Sequence, residues 1–99
     1  MLEITWSSYA EITFYEEANF IRSKWNMNEV EIFIDLVNDN VSLISKNPFI
    51  GKNVTQNYYS LVISKQTTLY YRIFEEQHYV ELLLFWNNLR DPIGLKKYL

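Results

Sequence analysis

Apolar positions along the chain fall into two successive rhythms and then return to the first. Leu2, Ile4 and Trp6 alternate with polar residues, the period of two that predicts a strand, and the alternation stops at Ser7-Ser8. From there Ala10, Phe14, Ala18, Ile21 and Trp25 recur at intervals of three and four, which predicts a helix with Glu11, Glu16, Glu17, Arg22 and Lys24 on its other faces. Ser8 with Glu11 three residues on has capping-box spacing, so the helix is expected to start near Ser8. After a break at Trp25-Asn26-Met27-Asn28, Asn28 is placed to cap a second helix, with Glu31 in its first turn. Val30, Phe33, Ile34, Val37, Val41 and Ile44 form its main stripe, and Ile32, Leu36 and Leu43 a narrower one. A helix with two apolar stripes is either sandwiched in the fold or touched by a partner. So short a break predicts an antiparallel helical hairpin. Pro48 disfavours helical backbone at Asn47 and ends it, and Gly51 permits the turn that follows.

Residues 51–58 read as loop. Strand chemistry then returns in three runs, Tyr59 to Lys65, Thr67 to Glu75 and Tyr79 to Trp86, with breaks short enough for hairpins. In the second run Leu69, Tyr71 and Ile73 share one face and Thr68, Tyr70, Arg72 and Phe74 the other. In the third, Val80, Leu82 and Leu84 oppose Glu81, Leu83 and Phe85. The order is β-α-α-β-β-β. It predicts an α+β fold, an N-terminal strand and an antiparallel helical hairpin packed on a mainly antiparallel sheet, with residues 1–99 as one domain.

Composition narrows the chemistry. Seventeen per cent aromatic residues, with three Trp and eight Tyr, exceed what one small core hides, so some rings should line a surface or an interface. The lack of cysteine excludes disulfides, thiolate metal sites and thiol nucleophiles, and a reducing, cytoplasmic setting is the expectation. No apolar run approaches a membrane span. A formal charge of −3 argues against a non-specific nucleic-acid binder. The halves differ, however. Residues 1–50 carry three basic against eight acidic side chains and residues 51–99 six basic against four acidic, so the second half is the anion-facing candidate.

There is no Gly-rich phosphate loop and no nucleophile elbow. The single histidine, His78, lies in an expected turn and is assigned no role, and no metal site is expected. Glu16-Glu17, Glu75-Glu76, Asp35 and Asp39 read as solvated surface. The remaining lead is basic. Arg72 sits in a strand interior, where a guanidinium must reach solvent or hold an anion; Arg90 follows the last strand and Lys65 ends an earlier one. A concave sheet face could gather all three around a phosphate or carboxylate, with a salt bridge from Arg72 to Glu75 or Glu81 as the plain alternative. Tyr58-Tyr59 and Tyr70-Tyr71 could stack bases, pad a partner or simply pack the sheet.

Taken together, the opening Ile4-Thr5-Trp6, the two helices, the Asn47-Pro48-Phe49-Ile50-Gly51 link, the strand Tyr70-Tyr71-Arg72-Ile73-Phe74 and the closing Arg90-Asp91-Pro92 resemble the RelE/ParE superfamily of toxins from type II toxin–antitoxin (plasmid stabilisation) systems. That resemblance implies a small cytoplasmic toxin without cofactor, held inactive by a cognate antitoxin. ParE-like members inhibit DNA gyrase. RelE-like members cleave mRNA on the ribosome without metal, the 2′-hydroxyl attacking its neighbouring phosphate. In that mechanism Arg72 would clamp phosphate, Arg90 would stabilise the leaving or transition-state oxygens and Lys65 would assist, with Tyr70, Phe74, Asn87 and Asn88 as binding residues. Nucleolytic members tend to be basic and to carry a catalytic tyrosine or histidine just after the last strand. This chain is acidic, has Asn87 and Asn88 there, and holds Tyr98 far from Arg90. The expectation is therefore a ParE-like inhibitor of an essential macromolecule such as gyrase. A RelE-like endoribonuclease and a non-toxic antitoxin-binding module are the alternatives.

Overall fold

The computed structural model describes residues 1–90 and Leu95. Strand β1 (Glu3–Trp6) leads into helices α1 (Ser8–Lys24) and α2 (Met27–Lys46), and a short 3-10 turn at Pro48–Ile50 precedes β2 (Lys52–Thr55), β3 (Tyr58–Val62), β4 (Thr67–Phe74) and β5 (Tyr79–Asn87). The five strands form one sheet in the order β1-β5-β4-β3-β2. Only the β1–β5 pair is parallel. The expected α+β architecture is thus present, with one strand more than the sequence pattern suggested. β2 lies in the stretch read as loop, because all four of its residues are exposed and it carries no apolar alternation to announce it.

Helix α1 starts at Ser8 as expected, α2 starts earlier than expected, and both capping residues differ from those anticipated. Ser7, not Ser8, caps α1: its hydroxyl accepts from Ala10 N (2.9 Å) and donates to the Leu83 carbonyl (2.9 Å), so one side chain ends the helix and ties it to β5. Asn26, not Asn28, caps α2, its side chain accepting from Glu29 N at 3.0 Å. The main stripe of α2 is correct at Val30, Phe33, Val37 and Ile44, all buried, whereas Ile34 stands at the surface. Its second stripe is not sandwiched, since Ile32 and Leu43 are exposed.

On α1 the buried line runs Ala10, Thr13, Glu17 and Ile21, and Trp25 is exposed. Two polar residues therefore face the sheet, each with a reason. β1 ends opposite Leu82, which leaves that edge of β5 without a strand beyond it, and Thr13 Oγ1 accepts from Phe85 N at 2.9 Å while donating to the Tyr9 carbonyl at 2.8 Å. Glu17 belongs to the candidate site below.

The core joins Val30, Phe33, Val37 and Ile44 of α2 to Leu69, Tyr71, Ile73, Val80, Leu82 and Phe85 of the sheet. Simple alternation places Leu84 with Val80 and Leu82, but the register shifts between Tyr70 and Tyr71: Tyr71 faces Leu82 and Tyr70 faces Leu84, so Leu83 is the extra residue of a bulge. Beyond it the faces exchange, and Phe85 enters the helix-side core while Leu84 joins the opposite face. Gly51 serves close approach rather than a left-handed turn. Its φ is −77°, and a Cβ there would lie 2.5 Å from both the Ser60 carbonyl oxygen and the Tyr71 hydroxyl. That buried hydroxyl donates to the Pro48 carbonyl (2.7 Å) and accepts from Gly51 N (3.1 Å), pinning the link between helices and sheet.

Candidate functional site

The helices cover one face of the sheet and leave the other to Thr68, Tyr70, Arg72 and Phe74 of β4 and their cross-strand neighbours. Arg72 lies between Tyr58 on β3 and Glu81 on β5. Its guanidinium carbon is 4.4 Å from the Phe74 ring centroid and 5.2 Å from that of Tyr58, and Phe74 is itself stacked on Tyr79 at 4.5 Å. Rings on two sides hold the guanidinium plane. Its Nε is buried and has no hydrogen-bond partner among the described residues, and no salt bridge to Glu75 or Glu81 forms. Glu75 stays exposed in the turn, as expected, together with Glu76 and His78. Tyr70 stands on the same face as Arg72, half-buried, and burial pushes its phenol up.

Arg90 reaches this face from beyond the end of β5, its guanidinium carbon 4.5 Å from the Trp86 ring centroid. Trp86 pairs with Thr68, four residues along β4 from Arg72, so the rows carrying the two arginines are roughly 13 Å apart at the strand rise. One extended ligand can span the two rows. Lys65 does not join Arg72. It is exposed in the loop between β3 and β4, at the far end of β4 from Arg72, and lines a separate groove with Trp25, Glu29 and Ile32 of the helices. The three cations are therefore not gathered around one point.

Asn87 and Asn88 are held by the fold. Asn88 closes the β3–β4 loop onto the sheet: its side chain accepts from Thr68 Oγ1 (2.8 Å) and donates to the Lys65 carbonyl (3.1 Å), and its N–H donates to the Gln66 carbonyl (2.7 Å). Asn87 shapes the turn that carries Arg90, its Oδ1 accepting from Leu89 N (2.9 Å) and its carbonyl from Arg90 N (3.0 Å). Of the motif after β5, Asp91 and Pro92 lie outside the described residues, as does Tyr98.

Beside this turn is an open groove of about 680 Å³ between α1 and the end of β5, with Glu17 at its floor. Expected at the solvated surface with Glu16, Glu17 is instead only 5% exposed and accepts from Thr67 Oγ1 at 2.6 Å. The apolar spacing around it carried the signal, because Glu17 stands seven residues after Ala10 and four before Ile21 on one helical face. Burial raises its carboxyl above the ordinary range; the Thr67 hydroxyl, the Asn87 amide and the charge of Arg90 oppose the rise, and Glu16 adds to it. The folded state thus binds this proton more tightly than the unfolded chain. The resulting stabilisation is fully present below the ordinary value of 4.5 and is lost as pH rises through the raised one. Glu17→Gln is expected to flatten the pH dependence of stability just above that value, read from urea midpoints between about pH 4 and about pH 8. Parallel wild-type and variant curves across that window would contradict the assignment.

No helix among the described residues is long and apolar enough to cross a membrane, and no three His, Cys, Asp or Glu side chains among them could share a metal ion. No family model matches the sequence, and no curated protein matches it. Solved structures do match. A YoeB/ParE toxin from Agrobacterium tumefaciens superposes with a TM-score of 0.61 at 15% identity, over 88% of this chain and 99% of that one. The YoeB–YefM complex from Staphylococcus aureus gives 0.58 at 14% identity, over 89% and 98%, and the YoeB dimer from the same organism 0.53 at 20%, over 82% and 90%. A strand, two helices and a mainly antiparallel sheet in this order, matched over most of each chain, give this protein the fold of the RelE/ParE-type toxins.

Proposed function

We propose that this protein is the toxin of a type II toxin–antitoxin pair, that a cognate antitoxin neutralises it by covering the Arg72 face, and that it arrests growth by binding an essential macromolecule through that face, with DNA gyrase as the first candidate. The observation that carries the reading is Arg72 itself. A guanidinium set between Phe74 and Tyr58, with a buried Nε that has no partner among the described residues and no salt bridge to the Glu81 carboxylate across from it, is prepared for an anionic group brought from outside. Arg90 on Trp86 offers a second cation along the same face, and Tyr70 and Phe74 supply apolar contact. The fold shared with YoeB, solved in one case with YefM, supports the antitoxin partner.

A second reading, ribosome-dependent cleavage of mRNA, draws on one specific contact. Glu81 stands directly across from Arg72, giving a carboxylate able to take a proton beside a cation able to hold phosphate. The two readings part in the first minutes after induction without antitoxin. Labelled thymidine incorporation is expected to fall before labelled amino-acid incorporation. Early loss of protein synthesis instead transfers the assignment to RNA cleavage, and unaffected growth removes the toxin reading altogether.

A further inference from the structure

We infer that Glu17 is a positioning residue for Arg90, acting through Asn87 to fix the turn that sets the Arg90 guanidinium on Trp86. The inference rests on the proposal that Arg90 contacts the target, but its geometry can be tested separately. Asn87 is the node. Its Oδ1 is committed to Leu89 N and its carbonyl to Arg90 N, and it stands across the sheet from Thr67, whose hydroxyl donates to Glu17, so Nδ2 is the donor left for the carboxylate. Flipping this amide would break the Leu89 bond and turn Oδ1 toward the carboxylate. Glu17 is anchored in turn by Thr67 Oγ1 at the start of β4, so α1, β4 and β5 meet at one carboxylate, with Asn87 and Thr67 both buried.

Charge gives the second half of the argument. Arg90 is exposed and follows a turn, where a long cationic side chain has many rotamers open to it. Among the described residues Glu16, Glu17 and Arg90 are the charged ones lining the groove, and Glu17 is the buried one, within electrostatic reach of the guanidinium. A carboxylate on the groove side and an indole on the sheet side bound the guanidinium's range. The buried acid is thereby explained without placing it in contact with any ligand.

Proton NMR of the labelled protein tests this directly, because a guanidinium carbon 4.5 Å from the Trp86 ring centroid should put the adjoining Cδ protons within reach of its ring current. In Glu17→Gln, which keeps the size but removes the charge and replaces one of the two acceptor oxygens with a donor, that shift is expected to collapse toward the free-arginine value. Growth arrest should weaken on the order of tenfold, the size of one lost charge-assisted contact. Adding Arg90→Ala to Glu17→Gln should cost little beyond Arg90→Ala alone. Should the variant fail to fold, the native protein still decides. As pH falls, the Arg90 shift should move with the Glu17 carboxyl carbon and not with that of Glu16. An Arg90 shift that ignores Glu17 in both experiments overturns the inference. A shift that follows Glu17 in a protein that does not arrest growth leaves the positioning intact and removes the toxin reading instead.

Discussion

Arg72→Ala is expected to abolish growth arrest while leaving a folded protein, a loss on the order of 100-fold or more when arrest is titrated against expression level. The size follows from the site. Truncating a charged group that meets its counter-charge in a partly desolvated contact typically costs about 2–5 kcal/mol, and each 1.4 kcal/mol is roughly a factor of ten. The fold should lose little. The ring contacts with Tyr58 and Phe74 contribute about 0.5–1 kcal/mol each, what an exposed cation–π pair is worth. Removing the side chain also removes the buried Nε that has no partner among the described residues. Arg72→Lys should fall between, since it keeps the charge but not the planar fork that stacks between two rings. Full arrest by Arg72→Ala at wild-type protein levels would take Arg72 out of the site under either target.

The helix periods, the strand runs and the outward direction of Arg72 were legible in the sequence because each rests on a local repeat longer than any exception within it. Val30, Phe33, Val37 and Ile44 mark the buried line of α2 without help from the rest of the chain. What was not legible depends on partners distant in sequence. Glu17 reads as surface beside Glu16 until Thr67 and Asn87, 50 and 70 residues away, are brought against it. The serine that caps α1 is selected by its second bond, to the carbonyl of Leu83 across the fold. Strand β2 pairs with β3 through its backbone, with the Asn53 amide adding a bond to the Tyr58 carbonyl, so its exposed side chains carry no apolar pattern that records it. The three cations looked convergent because spacing along a strand shows which face a residue takes, not how far along the sheet it stands. Arg72 stands toward one end of β4, whereas Lys65 and the Trp86 ring that carries Arg90 lie at the other.

Phe85→Ala should be the most damaging single change in the core, at about 3–5 kcal/mol. Phe85 is only 2% exposed, and its ring lies 5.5 Å from Trp6 and 5.6 Å from Phe14, so β1, α1 and β5 all meet on it. Phe14 continues the chain of rings to Phe33 on α2 at 5.6 Å, which joins the second helix to the same cluster. Removing the central ring therefore leaves a void bounded by four elements that cannot collapse together, and the cavity adds to the lost transfer free energy. Domains of this size unfold at about 5–15 kcal/mol and lose roughly 4–8 °C in Tm per kcal/mol, so a fall of about 15 °C or more is expected. Val62→Ala, at a side chain 66% exposed, should stay within about 0.5 kcal/mol of wild type and serves as the control. The outcome reports on the bulge itself. In an unbroken alternation Phe85 would stand on the face away from the helices and its truncation would open no cavity between them, so a loss below about 1 kcal/mol would mean that the register shift at Tyr70 and Tyr71 is misplaced.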